Sequence, residues 1–126
     1  MEETPSGTTT DVYGPYPTGY LKHSVEGRMI ALIVRGDRQR PAGAVPSATE
    51  AAALFRGMLS YAGTYVVSGD EITHHVDASW NEAWTGTDQR RLFRIEGRRL
   101  TLSTPPSPDP FSGKMSVRRL VFEKLE

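Results

Sequence analysis

The sequence predicts an all-β domain, an antiparallel up-and-down β-barrel carrying one short helix. Three observations carry that prediction. Short segments in which apolar residues alternate with polar ones recur along the chain, punctuated by twelve glycines and nine prolines. Most neighbouring segments connect through tight turns rather than long crossovers, which favours consecutive antiparallel pairing. At 126 residues the chain has the length of one domain with one core. Residues 1–126 are therefore read as a single domain, with 1–11 expected to be a flexible N-terminal stretch.

The elements follow in order. Thr18 to Ser24 (TGYLKHS) reads as a strand and runs into a turn at Glu26-Gly27. Arg28 to Arg35 (RMIALIVR) is a second strand, and the turn between the two makes them a hairpin. Met29, Ala31 and Ile33 point one way and Ile30, Leu32 and Val34 the other. Both faces are apolar, so this strand is expected to be covered on both sides. Gly36 to Pro46 is a loop. Ser47, with Glu50 three residues on, begins a helix with a capping box. Ala51, Leu54, Phe55, Met58 and Leu59 form its apolar stripe, which carries the helix to Leu59. The rest returns to strands at Gly63–Ser68, Glu71–Ala78, Gln89–Glu96, Arg99–Thr104 and Ser116–Lys124. Ser68-Gly69-Asp70 and Glu96-Gly97-Arg98 suit tight hairpins. The Pro-rich Thr104–Gly113 cannot be a central strand.

Composition removes several function classes. Fifteen basic residues balance fifteen acidic ones, which argues against a nucleic-acid module. Without cysteine there is no disulfide scaffold, thiol nucleophile, zinc-thiolate site or iron–sulfur cluster. The polar N-terminus has no apolar signal region, and the longest apolar run, Met29 to Val34, is far too short to span a bilayer. A cytoplasmic protein without a membrane partner is the expectation.

Several stretches carry a resemblance. They are Gly19-Tyr20-Leu21, Glu26-Gly27-Arg28-Met29, Ala62-Gly63-Thr64-Tyr65, Thr73-His74-His75-Val76, Trp84-Thr85-Gly86-Thr87-Asp88-Gln89 and Gly97-Arg98-Arg99-Leu100-Thr101-Leu102-Ser103-Thr104. In this order they resemble the bacterial and fungal lipocalin-like domain family, whose small barrels have about this length. The resemblance implies a lipocalin-like β-barrel around a small apolar cavity suited to a lipid-like or polyketide-like molecule. One feature departs from it. Family members usually begin with a strand containing Gly-Thr-Trp, and nothing like it precedes Thr8, so either the barrel lacks a strand or Thr8–Tyr13 partly replaces it. An unpaired edge results, and a homodimer is expected to close it.

The residues that could carry chemistry cluster after the helix. His74 and His75 point to opposite faces of a strand and cannot grip one ion together. His74 shares its face with Ile72, Val76 and Ala78. It is either a core histidine hydrogen-bonded to a neighbour or a polar anchor in an apolar pocket. His75 beside Asp77 reads as a surface pair. The third histidine is His23, and no His spacing suits a metal site. Trp80 and Trp84 are stacking surfaces or plugs at a barrel mouth. Tyr61 and Tyr65 offer phenols, and Tyr65 alternates with Val67 toward one face. Arg91 shares a face with Phe93 and Ile95, so it either pairs with Asp88 or Glu71 or receives an anionic head group. Arg118-Arg119 reads as a solvated doublet.

No GxSxG, GxxxxGK or HExxH occurs in the chain. The reading is a barrel that binds an apolar or amphipathic small molecule without catalysis or cofactor. Its ligand-binding residues are His74, Trp80, Trp84, Tyr65 and Arg91, with Ile72, Val76, Phe93 and Leu102 in the aliphatic lining. A cofactor-free isomerase or cyclase using His74 for proton transfer is the alternative. A barrel filled by its own side chains is the third reading.

Overall fold

Alternating strands joined by short turns can bury one face only by pairing in sequence and curling round it. The computed structural model shows that arrangement for residues 2–3, 9–10, 16–108 and 113–125, which are the residues it describes. The strands are β1 (Glu2–Glu3), β2 (Thr9–Thr10), β3 (Thr18–His23), β4 (Arg28–Val34), β5 (Met58–Ser68), β6 (Glu71–Ser79), β7 (Asp88–Glu96), β8 (Arg99–Ser103), β9 (Ser107–Pro108) and β10 (Met115–Glu123). They form one antiparallel sheet in the order β2-β1-β10-β8-β7-β6-β5-β4-β3, with β9 on β10. Gly69 and Gly97 take the positive φ, 62° each, that the β5–β6 and β7–β8 turns require.

The up-and-down order is as expected, but no ladder among the described residues closes the sheet. β3 and β10 nonetheless converge, since Leu21 of β3 and Leu120 and Phe122 of β10 pack on one core. Of the expected replacement strand Thr8–Tyr13, Thr9–Thr10 is β2, paired with β1, which itself pairs β10. The rest of that stretch, and most of 1–11, lies outside the described residues.

The core is built from the inward set of three strands: Met29, Ala31 and Ile33 of β4, Leu59 and Tyr61 of β5, and Val76 of β6. Each buried Met, Ile, Leu or Val contributes roughly 1.5–3 kcal/mol. The other face of β4 is less covered than expected. Within one chain Ile30 remains 53% exposed, and Tyr20 on the neighbouring strand 58%.

Ser47 caps helix α1 (Ala48–Arg56) with the expected box. Its Oγ accepts from the Glu50 N–H at 3.2 Å, and Glu50 Oε1 accepts from the Ser47 N–H at 2.8 Å. The helix ends at Arg56, with Gly57 as its cap, three residues short of the expected Leu59 end. Met58 and Leu59 pair with Val34 and Ile33 instead. A helical apolar stripe and an alternating strand share these residues, and burial of Leu59 in the barrel decides between them. No residue of the helix is fully buried, and Phe55 is 41% exposed.

β6 also departs from simple alternation. Ala62 pairs with Ala78 but Gly63 pairs with Val76, so Asp77 is an extra residue and the ladder bulges there. Ile72, His74 and Val76 face inward, whereas Ala78, expected on the same face, is exposed because the bulge shifts the phase.

Candidate functional site

The curl leaves a cavity between β4, β5, β7, β8 and β10. Aliphatic side chains such as Leu21, Ile33, Leu59 and Leu102 line it, with Leu120 and Phe122 from the far end of the sheet. The polar part of the wall is one-sided. Arg91 and Arg118, on the inward sides of β7 and β10, line it, and no acidic residue does among the described residues.

Trp84 belongs to the same wall. It sits on a 3-10 turn, Glu82–Trp84, in which the Ala83 N–H donates to Asn81 Oδ1 at 3.0 Å. The loop is held onto β6 where the Gly86 N–H donates to Val76 O at 2.8 Å and the Val76 N–H donates to Thr87 O at 2.9 Å. The Arg91 guanidinium lies 6.0 Å from the Trp84 ring centroid, at the outer limit of a cation–π contact. Trp84 also packs against Tyr61 at 5.5 Å and edge-on against Trp80 at 5.2 Å. The carboxylates expected as partners of Arg91 are engaged elsewhere: Glu71 accepts from Arg90 at 2.8 Å, and Asp88 meets His75 at 2.8 Å.

His74 stands one layer behind the wall. It is completely buried, its Nδ1 is 2.7 Å from Tyr61 Oη, and its Nε2 is 2.9 Å from His23 Nε2. The result is a hydrogen-bonded chain from the cavity wall at Tyr61, through His74, to the half-buried His23. Burial pushes His74 down to about 3, helped by the charges of His23 and Arg91. Burial also lowers His23. Tyr61 is raised by burial, with Arg91 opposing part of the effect. Both imidazoles are therefore neutral near pH 7.

The sign of the resulting pH dependence is fixed. Both folded-state values lie below 6.5, so the unfolded chain binds more protons beneath that pH. Stability is complete above pH 6.5 and falls as the pH drops toward 3, by up to about 1.4 kcal/mol per pH unit for each proton. Urea midpoints between about pH 6.5 and 4.5, above most carboxylate titration, check this. A flat midpoint across that window would contradict it.

The structure brings the expected site residues together unevenly. Trp84, Arg91 and Leu102 line the cavity. His74, Ile72 and Val76 are buried, with His74 reaching the cavity only through Tyr61. Phe93 is half-buried. Tyr65 is half-buried and uses its hydroxyl to donate to Ser24 O at 2.6 Å, with its ring edge on His23 at 4.8 Å. Trp80 lies between Phe55 and Trp84. His75 is the surface group expected, near Asp88 and Asp77.

Two side chains gain a role the sequence did not give them. His23, 51 residues from His74, completes the hydrogen-bonded chain. Arg118, expected on a solvated face, is half-buried and donates to Ser107 Oγ and Ser116 Oγ at 2.9 Å each, while lining the cavity. The signal for His23 was its alternation with Leu21. Among the described residues, no cluster of His, Asp and Glu could hold a metal ion, and no helix is long and apolar enough to cross a membrane.

A curled antiparallel sheet around an apolar cavity with a few convergent polar groups is the architecture of a ligand-binding barrel. The lipocalin-like domain family matches residues 1–125, and the chain belongs to that family. Neither curated proteins nor solved structures give a significant match.

Proposed function

We propose that this protein binds a small amphipathic molecule, its apolar body among Leu21, Leu59, Leu102 and Phe122 and its negative or electron-rich end toward the arginines. The observation that carries this reading is the composition of the wall: apolar side chains, Arg91, Arg118 and, among the described residues, no carboxylate. An apolar enclosure supplies affinity through water release, and a few fixed polar groups supply orientation. Arginine suits the second task, because its planar fork meets carboxylates and phosphates with two hydrogen bonds.

Native mass spectrometry of the purified protein, followed by denaturing extraction, tests the reading. A co-purifying small acid or neutral amphiphile is expected, and Arg91→Leu should lower its occupancy. A fully empty protein whose tryptophan fluorescence is also unchanged on addition of medium-chain acids would overturn it.

A second reading, acid/base catalysis on the bound molecule in an isomerisation or cyclisation, is favoured by one observation, the Tyr61–His74–His23 chain opening on the cavity. Turnover of the extracted molecule by fresh protein separates the two.

A further inference from the structure

The Nε2 atoms of His74 and His23 face each other at 2.9 Å, so that contact holds a single proton. This couples the direction of every bond in the chain. If Tyr61 donates its hydroxyl proton to His74 Nδ1, then His74 Nε2 carries the other ring proton and donates to a neutral His23. If Tyr61 donates instead into the cavity, its oxygen can accept from His74 Nδ1–H. His74 Nε2 is then a bare acceptor and His23 must supply the proton. Only in this second arrangement can His23 be an imidazolium without an N–H facing an N–H.

The ligand's head group chooses between the two. A hydroxyl donating to Tyr61 favours the first direction, and a carbonyl or carboxylate oxygen accepting from it favours the second. The surroundings strengthen the link for an anion. Among the described residues, the charged and titratable groups around the chain are Tyr61 and Tyr65 of β5, Arg91 of β7 and, across the cavity, Arg118 of β10. None of these described groups is acidic, and a bound anion would stabilise a charged His23.

We propose that the cavity selects a hydrogen-bond acceptor, a carboxylate above all, placed between Tyr61 Oη and the Arg91 guanidinium, and that the Tyr61–His74–His23 chain couples its binding to proton uptake at His23. This rests on the ligand-binding reading above and specifies its ligand. The proton balance is closed: one proton enters from solvent at the half-buried His23, and none is gained or lost by the carboxylate. Free His23 and His74 resist protonation because of burial, and the bound anion offsets that.

Octanoate and octan-1-ol, which differ only at the head, are the probes. Each is titrated calorimetrically at about pH 6 and about pH 8, in pairs of buffers with different ionisation heats. Octanoate is expected to take up a large fraction of a proton and to bind more weakly at the higher pH, by up to roughly tenfold per pH unit for a full proton. Octan-1-ol is expected to take up none. In His23→Phe octanoate binding should become independent of pH. In the unaltered protein, nitrogen chemical shifts should show His74 Nδ1 protonated with octanoate and bare with octan-1-ol. Octanoate binding without proton uptake, uptake that survives His23→Phe, or the same His74 tautomer with both probes would overturn the coupling while leaving the pocket in place. Failure of both probes to bind would overturn the pocket reading and the coupling together.

Discussion

Gly63→Ala is expected to prevent folding, or to cost more than about 4 kcal/mol if any native state survives. A Cβ on Gly63 would stand 1.8 Å from the His75 carbonyl oxygen, 2.9 Å from its carbon and 3.0 Å from the Asp77 nitrogen. All three atoms are backbone, so no side chain can swing away. Gly63 is needed for space, where β5 passes the bulge at Asp77. Relief requires β5 and β6 to separate, and these strands hold Tyr61 and His74 in hydrogen-bonding distance. Circular dichroism and a urea titration check this, with Gly43→Ala as the comparison because nothing lies within 4 Å of its added Cβ. A Gly63→Ala protein with an unchanged midpoint would mean that the bulge is not as described.

His74→Ala is expected to be the second most damaging single change, costing about 3–5 kcal/mol. It opens a void beside Val76 in the best-buried part of the molecule. It also strips a partner from Tyr61 Oη and from His23 Nε2. His74→Gln keeps a donor and an acceptor on the same strand position and should lose less. The two variants also separate packing from titration. Both should flatten the loss of stability between about pH 6.5 and 4.5, because the most depressed imidazole is gone, whereas only the alanine variant leaves a large void. A His74→Ala midpoint within about 0.5 kcal/mol of the parent would show that the hydrogen-bonded chain contributes little to the fold.

The parts of the fold that depend on local pattern were readable in the sequence. Alternation located seven of the strands, the Ser47–Glu50 box located the start of the helix, and Gly69 and Gly97 located two turns. The parts set by distant contacts were not. Met58 and Leu59 satisfy a helical stripe and a strand equally, and only pairing with Ile33 and Val34 assigns them to β5. Tyr61 was read as a phenol donor but left out of the expected site, because its inward direction follows only once Leu59 is given to a strand. The bulge at Asp77 carries no local signature, so Ala78 was read as facing inward. The site shows the same division. Trp84, Arg91 and Leu102 sit where strand and loop positions suggested, but the meeting of His23 with His74 joins β3 to β6 across the sheet. Arg118 looked solvated because a doublet of arginines gives no hint of Ser107 and Ser116 beside it.

The most direct test of a ligand-binding cavity is an amide and side-chain NMR titration of the unaltered protein with octanoate. Binding in the barrel predicts shifts concentrated at Leu21, Tyr61, the Trp84 indole, Arg91, Leu102 and Phe122, saturating at one equivalent. Shifts gathered on the outer face around Tyr20 and Ile30, or none at all, would contradict it.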